Sequence, residues 1–270
     1  LCNKHIKFKA FLDYAKSIDA DYIATGHYAR VVHTEGKESV MLRGVDNNKD
    51  QTYFLCQLNQ NQLNNSLFPI GELTKPEVRQ IAEELDLPVA HKKDSTGICF
   101  IGERDFREFL KNYIPAKSGK MVDIVSKKVI GEHQGIMYYT IGQRKGLGIG
   151  GNGEPWFVVG KDYDKNILYI AQGDSNKWLL SHGALITDVN WVSATKPEGE
   201  YDCTAKFRYR QRDNDVSLHF IDETTLYVTF KKPIKAVTPG QAAVFYDGDV
   251  CLGGGTIDKV YKDGKEIDYL

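Results

Sequence analysis

The sequence predicts an α/β segment followed by two small all-β domains, the last of them a β-barrel. Three observations carry this. Over the first hundred residues, helical periodicity alternates with short apolar runs, and one run ends in a glycine and a polar cluster, the pattern of a parallel sheet with its ligand site at the strand ends. Beyond Phe106 the text changes to short alternating segments divided by turns. From about residue 181 several further strands are separated by Pro-Gly and Asp-Gly turns, as in a small barrel. The expected domains are 1–106, 107–180 and 181–270.

Length and charge set the outer limits. At 270 residues the chain has room for two or three domains of ordinary size. With 35 basic and 36 acidic residues the formal net charge is −1, so the chain has no global basic signature, and any nucleic-acid surface must be a local patch. Five cysteines, an odd number spread widely, argue against a secreted disulfide framework and for a reducing cytoplasm. No Cys/His spacing fits a zinc site. No apolar run approaches the roughly 18 residues of a membrane span, and no leader is visible, so no membrane partner is expected. The chain begins with Leu1, inside what reads as a motif, and is expected to be a fragment.

In chain order, Phe8, Phe11, Leu12, Ala15 and Ile18 fall at helical spacing opposite Lys4, Lys7, Asp13 and Lys16, which predicts an amphipathic helix. Asp19-Ala20-Asp21 ends it. Tyr22-Ile23-Ala24-Thr25 reads as a buried strand leading into Gly26-His27-Tyr28-Ala29-Arg30, where Gly26 would let a nucleotide approach and His27 is either a site residue or a satisfied structural histidine. Val31-Val32-His33 and Val40-Met41-Leu42-Arg43 form a hairpin around Glu35-Gly36-Lys37. Lys49, Asp50 and Gln51 lie in a polar run that is either a solvated loop or a contact to a polar polymer. Thr74 and Glu77 form a capping box with Pro76 in the first turn, opening a helix with Val78, Ile81, Ala82 and Leu85 on one side. Val89-Ala90 is read as one more short strand.

The β segments follow. Met121 to Val125, Val129 to Gly131, Pro155 to Gly160 and Ile167 to Ala171 build the central domain. Its most unusual stretch is Gly142-Gln143-Arg144-Lys145-Gly146-Leu147-Gly148-Ile149-Gly150-Gly151, either a phosphate or RNA-backbone loop, though its spacing matches no P-loop, or a flexible turn. In the last domain, Tyr201, Cys203, Ala205, Phe207 and Tyr209 alternate with Lys206, Arg208 and Arg210, giving a basic face suited to a nucleic-acid backbone. Cys56, Cys203 and Cys251 sit at packing positions.

Two cysteines read differently. Cys99, in Lys92-Lys93-Asp94-Ser95-Thr96-Gly97-Ile98-Cys99, follows a Thr-Gly turn with cations on both sides. Such surroundings favour a thiolate, although the residue reads equally as a small buried hydrophobe. Cys2, in Leu1-Cys2-Asn3-Lys4-His5-Ile6-Lys7-Phe8, is again a cysteine among cations at a helix start.

Those two segments, together with Ala24 to Arg30, Lys49-Asp50-Gln51-Thr52-Tyr53-Phe54-Leu55, Tyr139 to Gly150, Arg208-Tyr209-Arg210 and Pro239-Gly240-Gln241, resemble the tRNA-specific 2-thiouridylases over the whole chain and in one order. An older name for that family is methyltransferase. The resemblance implies that 1–106 is the later part of an adenine-nucleotide α-hydrolase-like, pyrophosphatase-type domain. It implies that the C2 oxygen of a flipped tRNA wobble uridine is adenylated by ATP with Mg2+, and that a persulfide sulfur then displaces AMP. Cys2 and Cys99 resemble the catalytic thiols, able to join in a disulfide. Gly26 resembles an ATP contact, and His27, Lys49, Asp50, Gln51, Arg208, Tyr209 and Gln241 resemble tRNA contacts. No metal ligand is implied. The partners would be the tRNA anticodon loop and a cysteine desulfurase or sulfur-relay protein, in the cytoplasm.

The sequence departs from that family in two places. The Ser-Gly-Gly-Val-Asp-Ser loop that holds the ATP phosphates in that family is expected to lie well upstream of Leu1, and the family's acidic residue three positions before the first thiol is expected to fall before Leu1 as well. The expectation is that this stretch alone is inactive in adenylation. Two other readings remain: a non-catalytic RNA-binding module, which needs only the basic β faces, and a thiol oxidoreductase using Cys2 and Cys99, which leaves the β domains unexplained. A methyltransferase lacks its Gly-rich donor turn.

Overall fold

The structure, a computed structural model, describes residues 2–92, 106–193 and 196–269. Cys99 and the motif around it lie outside the described residues. The chain forms two compact units. One comprises Leu1–His91, His182–Lys232 and Pro239–Lys259, the other Lys92–Ser181, Pro233–Thr238 and Val260–Leu270.

In the first unit a π-helical stretch, Cys2–Ala10, runs directly into α1, Phe11–Ser17. Asp19, in the left-handed region at φ 59°, ends the run where the sequence predicts a break. The buried stripe is narrower than the periodicity predicts. Phe8, Leu12 and Ala15 are buried, whereas Phe11 and Ile18 are 51% and 61% exposed. The wider π-helical turn shifts the register of the apolar positions, so a 3.6-residue period overestimates what faces inward.

Strand β1, Ile23–Ala24, pairs in parallel with β4, Ser66–Leu67, and this short pair is the parallel sheet of the described α/β segment. Between them lie the hairpin of β2, Ala29–Val32, and β3, Val40–Arg43, and two short helices, α2, Thr52–Leu55, and α3, Gln60–Asn64. Helix α4, Lys75–Glu84, has the predicted capping box between Thr74 and Glu77, with the backbone N–H of Thr74 donating to the Glu77 carboxylate at 2.7 Å. Its apolar side is not buried: Ile81 and Leu85 are 40% and 64% exposed. The residues after it, Pro88 to Ala90, form turns rather than a strand.

The second unit contains α5, Phe106–Lys111, and a four-stranded sheet of β5, Gly119–Asp123, β6, Val129–His133, β7, Trp156–Asp162, and β8, Ile167–Gln172, in the order β6-β5-β8-β7. Asn166, at φ 52°, makes the β7–β8 turn, where the Asp162 carboxylate accepts from the Lys165 backbone N–H at 2.8 Å. Met121, Val158, Leu168 and Ile170 are fully buried in its core.

The remaining strands are β9, Leu180–Trp191, β10, Glu200–Lys206, β11, Asn214–Phe220, β12, Leu226–Lys235, β13, Ala242–Asp247, β14, Val250–Lys262, and β15, Lys265–Glu266. Six of them close into an antiparallel barrel in the order β13-β10-β11-β12-β9-β14, with β14 pairing back to β13. The predicted Asp-Gly turn sits between β13 and β14, with Gly248 at φ 54°. The basic face is shorter than the alternation predicts, because β10 ends at Lys206. That ammonium lies 3.9 Å from the Asp213 carboxylate and 5.6 Å over the Tyr246 ring, a neutralised position rather than an open one.

The α/β segment and the barrel share a core within the first unit. Phe8, Met41, Leu55, Leu58 and Leu63 pack in one cluster with Val192, Val244, Tyr246 and Cys251. Burying a side chain of this size stabilises by about 1.5–3 kcal/mol each.

Candidate active site and RNA-contact surface

The site is built around α2. Its sequence, Thr-Tyr-Phe-Leu, would read as core throughout, but each helical residue turns by about 100°. Thr52, Tyr53 and Leu55 therefore point inward while Phe54 is 44% exposed.

Three links radiate from this turn. Thr52 Oγ1 donates to the buried Asp50 carboxylate at 2.9 Å and lies 3.3 Å from the Tyr246 hydroxyl, and the Tyr53 hydroxyl donates to the Ala242 carbonyl at 2.9 Å. The Asn3 side-chain amide donates to the Phe54 carbonyl at 3.0 Å, which pins the turn carrying Cys2 beside it. Lys4 adds a hydrogen bond to Gln57 at 3.1 Å, and the Gln62 amide donates to the Lys4 carbonyl at 3.3 Å. Phe54 and Tyr209 face each other with ring centroids 4.5 Å apart, Tyr53 completes an aromatic trio, and the Arg210 guanidinium lies 5.3 Å over the Tyr209 ring.

The residues expected from the sequence are placed as follows. Cys2 is half-buried and carries a free thiol. The other described cysteines are held as thiols by burial, which pushes Cys56 and Cys203 up to about 12 and Cys251 well above its ordinary range. Gly26 is exposed just past the C-terminal end of β1, and a Cβ there would meet nothing within 4 Å, so the approach to its backbone is open. His27 is 8% exposed, packed against the rings of Phe8 and Phe68, with Nδ1 2.9 Å from Thr25 Oγ1. Burial, and next the Lys7 charge, hold its pKa down at about 4, so the ring is neutral at pH 7.

Asp50 is likewise buried, accepting from the backbone N–H groups of Gly44 and Thr52. Gln51 is half-buried. Its backbone N–H donates to the Tyr28 carbonyl at 2.8 Å and its side chain accepts from the Tyr28 N–H at 3.0 Å, which ties the Gly26 loop to the Lys49–Asp50 loop. Lys49 and Arg208 are half-buried, and burial lowers the Arg208 pKa while the nearby Tyr53 opposes that shift. Gln241 is exposed, one residue before the carbonyl that accepts from Tyr53.

The structure thus gathers Cys2, Tyr209, Arg208 and Gln241 around α2, with Lys49 and Gln51 on the loop leading into it and Gly26 on the β1–β2 loop tied to that one by Gln51, while His27 and Asp50 are buried within it. Sequence reasoning missed Phe54 and Asn3. The signal for Phe54 was its place between two inward-facing neighbours on a one-turn helix. Among the described residues no group of three or more His, Cys, Asp or Glu side chains could hold a metal ion. No described helix is long and apolar enough to cross a membrane.

A half-buried free thiol lies on the turn pinned to a helix with stacked aromatic rings, in an α/β segment with a parallel strand pair that shares a core with a closed barrel. Three family models match in succession: a tRNA methyl transferase HUP domain over residues 1–103, a tRNA methyl transferase PRC-barrel domain over 107–172, and an aminomethyltransferase β-barrel domain over 181–257. The chain is 60% identical over all 270 residues to the tRNA-specific 2-thiouridylases MnmA of Bacillus cytotoxicus, Bacillus cereus and Bacillus thuringiensis, covering 100% of this chain and 72% of each relative. The chain belongs to the tRNA-specific 2-thiouridylase family.

Proposed function

We propose that this chain serves a tRNA uridine 2-sulfurtransferase that converts the wobble uridine to 2-thiouridine. The observation that carries the reading is the 60% identity along the whole chain to enzymes of that name, joined to a free Cys2 thiol pinned beside a basic, aromatic surface.

The chemistry proceeds in two stages. ATP adenylates the C2 oxygen of an extruded uridine and releases pyrophosphate, turning a poor leaving oxygen into AMP. The terminal sulfur of a persulfide on Cys99 then attacks C2 and AMP departs. In the second stage Cys2 attacks the Cys99 sulfur, forming a Cys2–Cys99 disulfide and freeing the thiocarbonyl, which is ordinary thiol exchange. Two thiols are oxidised to a disulfide as the persulfide sulfur is delivered at the sulfide level, and a thiol reductant resets the pair. Gly26, open at the end of β1, fits close approach by the nucleotide. Mg2+ would enter with the ATP phosphates.

Lys49, Gln51, Arg208, Tyr209 and Gln241 meet the tRNA anticodon arm in this reading, and Phe54 adds a stacking face. His27 and Asp50 act through the backbone they hold. Domains of 1–106, 107–180 and 181–270 belong to this reading, and family matches over 1–103, 107–172 and 181–257 support it. A cysteine desulfurase or a relay protein supplies the sulfur, and the free thiols suit a cytoplasmic setting.

Mass spectrometry of the protein after incubation with a cysteine desulfurase and cysteine tests the assignment. One added sulfur is expected on Cys99, with none on Cys56, Cys203 or Cys251. Sulfur found on one of those three instead would overturn it.

A further inference from the structure

We infer that the glycine-rich segment of the second unit forms a subsite for one unpaired guanine nucleotide, remote in sequence from every residue assigned above. The segment borders a cavity of about 480 Å3, a size that holds a small ligand, lined by Arg144, Gly148, Gly150, Gly151, Glu154 and Trp156 among others.

Both walls are fixed. On one, the Gln143 side chain accepts from the Thr140 N–H at 3.0 Å and donates to the Lys145 carbonyl at 2.9 Å, while its backbone carbonyl accepts from the Val158 N–H at 3.0 Å. On the other, the Gln172 amide donates to the Asn152 carbonyl at 3.1 Å, and the Gly173 N–H donates to the Pro155 carbonyl at 3.0 Å. Leu147 anchors the floor in the core. These bonds hold the two ends of the glycine-rich stretch in place.

The glycines are not explained by the protein's own packing. A Cβ at Gly148, Gly150 or Gly151 would meet nothing within 4 Å. Gly148 and Gly151 have φ of 68° and 123°, which restricts side chains, but Gly150 has no such φ. A glycine at an ordinary backbone angle with free space around it costs folding entropy and returns no packing. What it does is keep the cavity wide and its backbone polar groups uncovered.

The side chains narrow the ligand class. Arg144 is exposed and makes no ion pair among the described residues, so its guanidinium is available to a phosphate. Trp156, half-buried at the start of β7, offers an indole for stacking. The exposed Glu154 borders the cavity, its carboxylate beside Gly173, where a Cβ would come within 2.8 Å of Oε2. A carboxylate repels a polyphosphate but accepts the two parallel N–H donors of a guanine edge, which uridine cannot offer. One cation, one acceptor and one ring suit a nucleoside monophosphate unit. An RNA strand and a free nucleotide present the same unit. The RNA source rests on the function proposed above.

Quenching of Trp156 fluorescence in the 270-residue chain, with Trp156→Phe as the background, provides the test. The probes are 5′-GMP, 5′-UMP and a single-stranded oligouridine carrying one guanosine. Saturable quenching by 5′-GMP, at least tenfold tighter than by 5′-UMP, is expected. Gly150→Leu, which fills the cavity without backbone strain, and the exposed Arg144→Ala should each weaken it at least tenfold with unchanged thermal unfolding. Tighter binding of the oligonucleotide than of 5′-GMP identifies RNA as the source, and the reverse identifies the free nucleotide. Equal affinity for 5′-GMP and 5′-UMP, or undiminished binding by Arg144→Ala, overturns the subsite. tRNA binding measured in parallel separates the two claims: a chain that binds tRNA but fails the cavity test loses only the subsite, whereas one that passes it without binding tRNA loses only the tRNA reading.

Discussion

His27 shows how a polar residue at a strand end can be held inside the core. Its neutral ring sits between Phe8 and Phe68, with a pKa held at about 4 against an ordinary 6.5. A proton therefore binds the unfolded chain more readily than the folded one between those values. Stability from the buried neutral ring is fully present above pH 6.5 and is lost as pH falls from 6.5 towards 4, by on the order of 3 kcal/mol at most. Urea unfolding at pH 7.5 and pH 5 should show this loss in the parent chain and a clearly smaller one in His27→Phe; an equal slope in both would place the acid sensitivity elsewhere. The sequence shows a Gly-His pair at a strand end, and that much was legible. The wall formed by Phe68, forty-one positions further on, was not, since periodicity carries no information about which distant ring closes over a histidine. Phe54 is the opposite case: it stands in an apolar run between buried Tyr53 and Leu55, and a single helical turn carries it to the surface.

At the level of elements, local signals were legible and burial was not. The Thr74–Glu77 capping box, the hairpin of β2 and β3 and the Asp-Gly turn before β14 are each set by a few adjacent residues, and each stands where the sequence predicts it. The apolar faces of α1 and α4 needed partners that no periodicity supplies, and parts of both are exposed. The run Gly253-Gly254-Gly255 in β14 belongs to the barrel's closure. A Cβ at Gly254 would collide with the Ala243 carbonyl on β13 and crowd the Cys56 sulfur, and one at Gly255 would lie 2.6 Å from the Thr187 carbonyl. Gly254→Val should therefore destabilise the chain by about 2 kcal/mol or more, since the backbone itself blocks the added carbons. A lower urea midpoint with an unchanged slope checks it; an unchanged midpoint would mean the strands separate more easily than the closed pairing implies.

Across the whole molecule, the fold class was readable because α/β and all-β text differ in period. The barrel was readable too, from short strands divided by Pro-Gly and Asp-Gly turns; its strand order was not, because β13 pairs not only with its hairpin neighbour β14 but also with β10, some forty residues earlier. Nor could the sequence show that the α/β segment and the barrel share one core in the first unit. That shared core has a functional consequence, for it brings strand-end loops from the first ninety residues and turn residues near 209 and 241 to the same short helix. The central claim is that Cys2 stands within reach of an RNA base held on this surface. Disulfide trapping tests it most directly, using an anticodon stem-loop whose wobble uridine carries a tethered thiol. The account predicts a mixed disulfide at Cys2 and none at Cys56, Cys203 or Cys251, with trapping reduced at least fivefold by Phe54→Ala, consistent with the loss of about 1 kcal/mol or more of base stacking. A stem-loop that binds the chain yet leaves Cys2 unmodified would contradict it.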